Sequence, residues 1–154
     1  MLNLNQKYTA IGVMSGTSLD GVDIVLAEFE KIHSWSFKIL SEKTIPYTNY
    51  WKQKLNNIYK QTSFNNREAD IEYGKFLGNL INDFLQEINC EVNLISSHGH
   101  TVFHEPERGI TMQIGDGEAI SRITGLTTIY DFRSQDVKLG GQGAPLVPKG
   151  DLDL

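Results

Sequence analysis

The segment Gly12-Val13-Met14-Ser15-Gly16-Thr17-Ser18-Leu19-Asp20-Gly21-Val22-Asp23 concentrates the residue types that hold a phosphate and a hydrated cation. Glycines let the backbone approach a ligand closely. N–H groups and hydroxyls hold an anion, and a carboxylate holds a hydrated metal. Together these suit a nucleotide phosphate with its magnesium. The segment is not a Walker loop, because no lysine follows its second loop glycine and a strand rather than a helix comes next. The plain alternative is a surface hairpin that uses Gly and Asp for turn geometry.

A second candidate group is His98, His100 and His104. Residues two apart on a strand point the same way. With Asp131 nearby, this spacing offers a zinc site for hydrolysis, a reading in which the glycine-rich segment has no purpose. A third is Gly140-Gly141-Gln142-Gly143-Ala144-Pro145-Leu146-Val147-Pro148, either a connector or a backbone surface pressed against a ligand.

The elements that must position these groups read as an α/β fold. Residues 8–13 and 22–29 are apolar strands on either side of the first segment. Trp35, Phe37 and Ile39 alternate with Ser36 and Lys38, a third strand with one buried face. The opening is thus an antiparallel meander, closed by Thr44 to Tyr47, where Pro46 excludes a helix. Trp51, Leu55, Ile58 and Tyr59 recur at helical spacing, with Thr48 or Asn49 as cap. A longer helix carries its apolar stripe from Ala69 to Ile88, and Gly74 and Gly78 on it permit close packing.

Residues 92–96 form a short buried strand that ends at Ser97-His98-Gly99-His100. Ligands of open α/β sheets gather beyond the carboxyl ends of strands, which puts His98 where a site belongs. Residues 100–103 and 110–114 read as a hairpin. Asp116 caps a short helix that Gly125 stops. Residues 126–130 are a further strand, running into Asp131-Phe132-Arg133-Ser134-Gln135-Asp136.

The chain has 154 residues, enough for one domain with a proper core. It carries 14 basic against 19 acidic residues, a net charge of −5 without a basic stripe, which argues against a nucleic-acid partner. The single cysteine, Cys90, excludes an internal disulfide and suits a reducing compartment. No signal-like start or transmembrane-length apolar run is present, so a cytoplasmic location without membrane contact is expected.

The first segment is similar to the first phosphate loop of the actin, hexokinase and heat-shock ATPase superfamily, in which a β-hairpin cradles the phosphates. Its wording resembles the signature of the anhydro-N-acetylmuramic acid kinases. Four further segments resemble the same family in the same order: residues 97–104, Gln113-Ile114-Gly115-Asp116, residues 131–136 and residues 140–148. Many members carry Gln where this chain has His100, and both side chains can hydrogen-bond a sugar.

The resemblance implies an actin-like (ribonuclease H-like) ATPase lobe, with a mixed sheet flanked by helices. It implies ATP and Mg²⁺ as cofactors and 1,6-anhydro-N-acetylmuramic acid as substrate. The anhydro bridge is hydrolysed and the γ-phosphoryl group passes to O6, giving N-acetylmuramic acid 6-phosphate. By position, Ser15, Gly16, Thr17, Ser18, Leu19, Asp20, Gly21 and Val22 surround the phosphates, with Asp20 on the metal. His98 and Thr101 become sugar contacts. Arg133 suits the sugar carboxylate or a phosphoryl oxygen, because its fork binds either bidentately; a surface ion pair with Asp131 or Asp136 is the alternative. Gly141, Gln142 and Gly143 shape the sugar pocket. The family's Phe-Asp-x-Gly-Pro-Gly segment, which supplies the catalytic aspartate, has no counterpart here, so no catalytic base is assigned and its place is expected beyond Leu154. The chain thus reads as the amino-terminal lobe of a two-lobed kinase, inactive by itself and open to self-association as a homodimer through its exposed cleft face. A stand-alone sugar- or phosphate-binding module is the second reading.

Overall fold

The computed structural model of the chain describes residues 6–58, 67–143 and 146–154. The expected helical position Tyr59 and the loop positions Ala144 and Pro145 lie outside them. Three long strands open the fold: β1 (Gln6–Ser15), β2 (Gly21–Lys31) and β3 (Trp35–Pro46), paired antiparallel in that order. The expected meander is present. β4 (Leu94–Glu105) lies parallel to β1, with Ile11 opposite Ile95 and Ser15 opposite His100. The free side of β4 is shared. β6 (Thr127–Ile129) runs parallel along its first half, and β5 (Ile110–Ile114) antiparallel along its second. The result is one mixed six-stranded sheet.

Helices α1 (Asn49–Ile58), α2 (Arg67–Glu87) and α3 (Gly117–Thr124) build the layer over one face. Thr48 caps α1, its hydroxyl accepting from the Trp51 N–H. The core follows from period-two strands meeting period-3.6 helices. Ile11, Val13, Val22, Ile24, Leu26 and Ile95 point from the sheet into Trp51, Leu55, Tyr73, Leu77, Ile81 and Phe84. Gly74 and Gly78 do serve close packing: a methyl on Gly74 would sit 2.5 Å from the Asp116 carbonyl oxygen, and one on Gly78 would sit 3.1 Å from the Ile123 side chain. No helix among the described residues is long and apolar enough to cross a membrane.

Four expectations need correction. The strand expected to stop at Ser96 is continuous from Leu94 to Glu105. Gly99, at φ +70°, absorbs a register shift that lets β4 leave β1 and continue with β5. His98 is therefore inside a strand and not beyond its end. The third strand alternates as read, yet Phe37 and Ile39 are each 51% exposed and Ser36, Lys38 and Leu40 are exposed as well, so this half of the edge strand has no buried face. Within residues 131–136, to which sequence reading gave no element, α4 (Ser134–Lys138) begins. Likewise α5 (Leu146–Asp153) begins inside the segment read as a loop to Pro148.

Candidate functional site

The hairpin between β1 and β2 exposes a short tip. Ser15, Gly21 and Val22 are buried at its base, while Thr17, Ser18 and Asp20 face solvent. The tip is a tight turn in which the Leu19 N–H donates to the Gly16 carbonyl and Leu19 takes φ +57°. The Asp20 carbonyl accepts from the Tyr47 N–H at 3.2 Å, tying the tip to the end of β3. Gly21 is required by contact: a Cβ there would run into the Ile45 carbonyl.

Asp20 combines both readings given to it. Its Oδ1 accepts from the Ser18 hydroxyl at 2.6 Å and from the Gly21 N–H at 3.0 Å, the bonds of a turn-forming aspartate. The Ser18 hydroxyl holds the carboxyl below the ordinary aspartate range, aided by main-chain N–H bonding. Both bonds fall on Oδ1, so an ionised carboxylate presents Oδ2 outward. A magnesium ion, which takes one carboxylate and keeps several waters, fits that donor set.

β4 carries the remaining sequence candidates, on two separate cavities. Thr101 lines the larger, of about 460 Å³, together with Thr17 and Leu19 of the tip and Leu55 and Asn56 of α1. His98 lines a smaller one of about 200 Å³ with Ser97, Gln113 and Asp131. Thr101 thus shares a cavity with the tip of the phosphate hairpin, whereas His98 reaches the base of that hairpin, lining a further cavity with Gly12, Val13, Met14 and Asp23. Ser97 Oγ and Gln113 Oε1, both lining the smaller cavity, are buried without a hydrogen-bond partner among the described residues. Sequence reading placed both inside family-like segments, 97–104 and 113–116, without giving either a role, and it passed over Asn56, which no local pattern marks.

Among the described residues Arg133 is not paired with an acid. Its Nε donates to His98 Nε2 at 3.0 Å and its Nη1 to the Gly143 carbonyl at 2.8 Å. Two of its donors are therefore committed, which leaves Nη2 rather than the Nε edge for an anion. Burial and the adjacent guanidinium both push His98 below the ordinary histidine range, opposed by its bond to the Gly99 carbonyl. Gly141 and Gly143 turn beside Arg133, and Gln142 between them is exposed. The zinc reading fails on geometry. His98 has both ring nitrogens engaged, His100 is buried, and His104 Nδ1 meets the Thr111 hydroxyl at 3.2 Å. No three His, Cys, Asp or Glu side chains among the described residues converge on a metal position.

Residues 8–153 match the family model described as anhydro-N-acetylmuramic acid kinase. The chain is 42% identical over 160 residues to a protein of that name from Mannheimia succiniciproducens, covering 96% of this chain and 41% of the relative. It is 39% identical over 149 residues to the one from Acinetobacter baylyi, covering 90% and 37%. It is 42% identical over 146 residues to the one from Photobacterium profundum, covering 90% and 38%. The chain thus spans about two-fifths of the length of these curated relatives. Its mixed sheet, opening on an antiparallel meander and flanked by helices, is that of an actin-like ATPase lobe. With the glycine-rich hairpin, the β4 segment and the 131–136 segment all inside the matched span, the chain belongs to the anhydro-N-acetylmuramic acid kinase family.

Proposed function

We propose that this chain is the amino-terminal lobe of a two-lobed kinase that hydrolyses the anhydro bridge of 1,6-anhydro-N-acetylmuramic acid and phosphorylates O6, using ATP and Mg²⁺. The observation that carries the reading is the hairpin tip: Asp20, exposed and held below the ordinary aspartate range, lies in the same turn as exposed Thr17 and Ser18, and Thr17 lines the cavity that Thr101 lines. Asp20 would hold the ion, and the chemistry it supplies there is neutralisation of the β- and γ-phosphate charge. The turn at Gly16 brings backbone and hydroxyl donors to the same place. Thr101 supplies a hydroxyl to the sugar side of that cavity, and Arg133 offers its Nη2 donors to an anionic group from the direction of β4. No residue of this chain is assigned to activate the attacking water; that carboxylate belongs to the second lobe, which also carries the adenosine contacts.

The test is a pair of measurements on the purified chain. Calorimetric titration with ADP is expected to show binding that requires Mg²⁺ and falls at least about tenfold in Asp20→Asn. Incubation with ATP and the anhydro sugar is expected to give no 6-phosphate product, since charge stabilisation must come from both sides of the cleft. Product formed by the chain alone would overturn the single-lobe reading. Nucleotide binding indifferent to Asp20 and Mg²⁺ would overturn the assignment of the hairpin.

A further inference from the structure

We infer that Asp136 is the positioning residue of this site, acting on Arg133 and His98 through the glycine turn that follows α4. Asp136 grips that turn twice. Its Oδ2 accepts from the Gly143 N–H at 2.6 Å, and its main-chain carbonyl accepts from the Gly141 N–H at 2.8 Å. Among the described residues Asp136 forms no ion pair. A carboxylate satisfied by a backbone N–H instead of a cation fixes a loop conformation. The turn is shaped to be gripped: a Cβ on Gly141 would collide with the Asp136 carboxylate, and Gly143 takes φ +69° against Val137.

The held turn sets the next two residues. The Gly143 carbonyl accepts from Arg133 Nη1, which orients the guanidinium so that Nε meets His98 Nε2. Arg133 is also the residue at the amino end of α4, its carbonyl accepting from the Val137 N–H at 3.1 Å, so both ends of the clamp belong to one helix. An imidazole nitrogen that accepts carries no proton. His98 is therefore neutral with its proton on Nδ1, and that proton goes to the Gly99 carbonyl at 3.0 Å. The same carbonyl accepts from the buried Ser15 hydroxyl at 3.1 Å. A continuous run of hydrogen bonds thus joins Asp136 to the base of the phosphate hairpin. It fixes the tautomer of His98 and leaves the Nη2 group of Arg133 free to meet an anion.

The bonds stand whatever the chain catalyses; their meaning for substrate rests on the kinase reading, and the experiment separates the two. Imidazole ¹⁵N–¹H spectra of the labelled chain at pH 7, with His98 assigned by His98→Gln, report the tautomer directly. The expected result is the Nδ1–H form in the unmodified chain. In Asp136→Ala the Nε2–H form should become the major one, while the His104 signals stay unchanged as the check on folding. Asp136→Asn keeps an oxygen acceptor for the Gly143 N–H and is expected to restore the Nδ1–H form, which a merely structural loss would not do. Finding His98 as Nε2–H or doubly protonated in the unmodified chain would overturn the proposal. So would an unchanged tautomer in a folded Asp136→Ala protein. Should Asp136→Ala not fold, Arg133→Met, which keeps an unbranched side chain but removes every guanidinium donor including the Nε bond to His98, must release the tautomer or the proposal falls. A calorimetric titration with the anhydro sugar then addresses the reading: loss of the tautomer without any sugar binding in the unmodified chain sinks the kinase assignment and leaves the positioning role in place.

Discussion

His100 meets Tyr73 edge to face, ring centroids 6.2 Å apart and planes at 69°, in the buried layer between β4 and α2. It is only 5% exposed, and its Nδ1 has no hydrogen-bond partner among the described residues. Burial, with a smaller contribution from His98, pushes its pKa down to about 4. The unfolded chain takes up that proton near pH 6.5, so below this the unfolded state binds more protons. The stability that neutral His100 contributes is complete above about pH 6.5 and is lost as pH falls toward 4. The loss is at most about 3 kcal/mol. His100→Gln, which places a non-titrating side chain there, should flatten the denaturant-midpoint profile between pH 7 and 4. An unchanged pH profile in this variant would remove His100 as the cause.

Gly74 and Gly78 sit one turn apart on α2, and the same substitution should act oppositely at the two. At Gly74 an alanine methyl meets main-chain atoms of Asp116, at 2.5 Å from its oxygen and 2.8 Å from its nitrogen. Backbone cannot swing aside, so α3 must shift, and Gly74→Ala is expected to cost roughly 1–3 kcal/mol net of its helix-propensity gain. At Gly78 the neighbour is the Ile123 side chain at 3.1 Å, which can move by a few tenths of an ångström. The gain of about 1 kcal/mol for alanine over glycine in a helix should then nearly cancel the contact cost. Urea denaturation of the two variants decides this; equal losses would mean that the α2–α3 seam does not depend on the Gly74–Asp116 approach.

What could be read from the sequence was what is local. The stripe of α2, the meander, the Asp116 cap and the Gly125 stop each depend on residues within a turn or two. The misreadings come from contacts distant in sequence. Ser97 to His100 look like a loop because polar residues surround a glycine, but Gly99 at φ +70° is a bulge inside a strand held by β1 on one side and β5 on the other. Alternation in β3 marks two faces without saying that residues 36–40, at the sheet's edge, lie beyond the reach of the helix layer on either one. The Arg133–His98 bond joins residues 35 apart in sequence, and nothing near either one announces it. The hairpin was legible because its chemistry and its turn lie in one contiguous segment.

Asp116 holds the start of α3. Its Oδ1 accepts from the Ala119 N–H at 2.6 Å, and its Oδ2 faces the Arg67 guanidinium at 2.7 Å, with the carboxylate only 2% exposed. Arg67 itself is largely in solvent, so losing this partner strands no buried cation. Asp116→Ala is therefore expected to cost about 1–2 kcal/mol through the lost cap, and Asp116→Asn, which keeps an oxygen for the Ala119 N–H, less than half as much. Thermal or urea denaturation compares them. An equal cost for both would assign the effect to the ion pair with Arg67 rather than to the cap.

Gly99 links stability to the site. Its φ of +70° disfavours any side chain by about 1–2 kcal/mol, and a Cβ there would stand 2.5 Å from the Ile114 carbonyl oxygen. Gly99→Ala must therefore either strain the bulge or undo it, at a further cost of about 1–3 kcal/mol. Undoing it shifts the β4 register, and one residue of slip turns side chains to the opposite sheet face. The Gly99 carbonyl would then leave both the His98 Nδ1–H and the Ser15 hydroxyl. Denaturation of Gly99→Ala should show the stability loss, and the imidazole spectrum should show His98 released from its Nδ1–H form. A variant destabilised with His98 unchanged would mean that strain alone is at work and the register survives. A variant of normal stability would mean that the bulge can form without glycine.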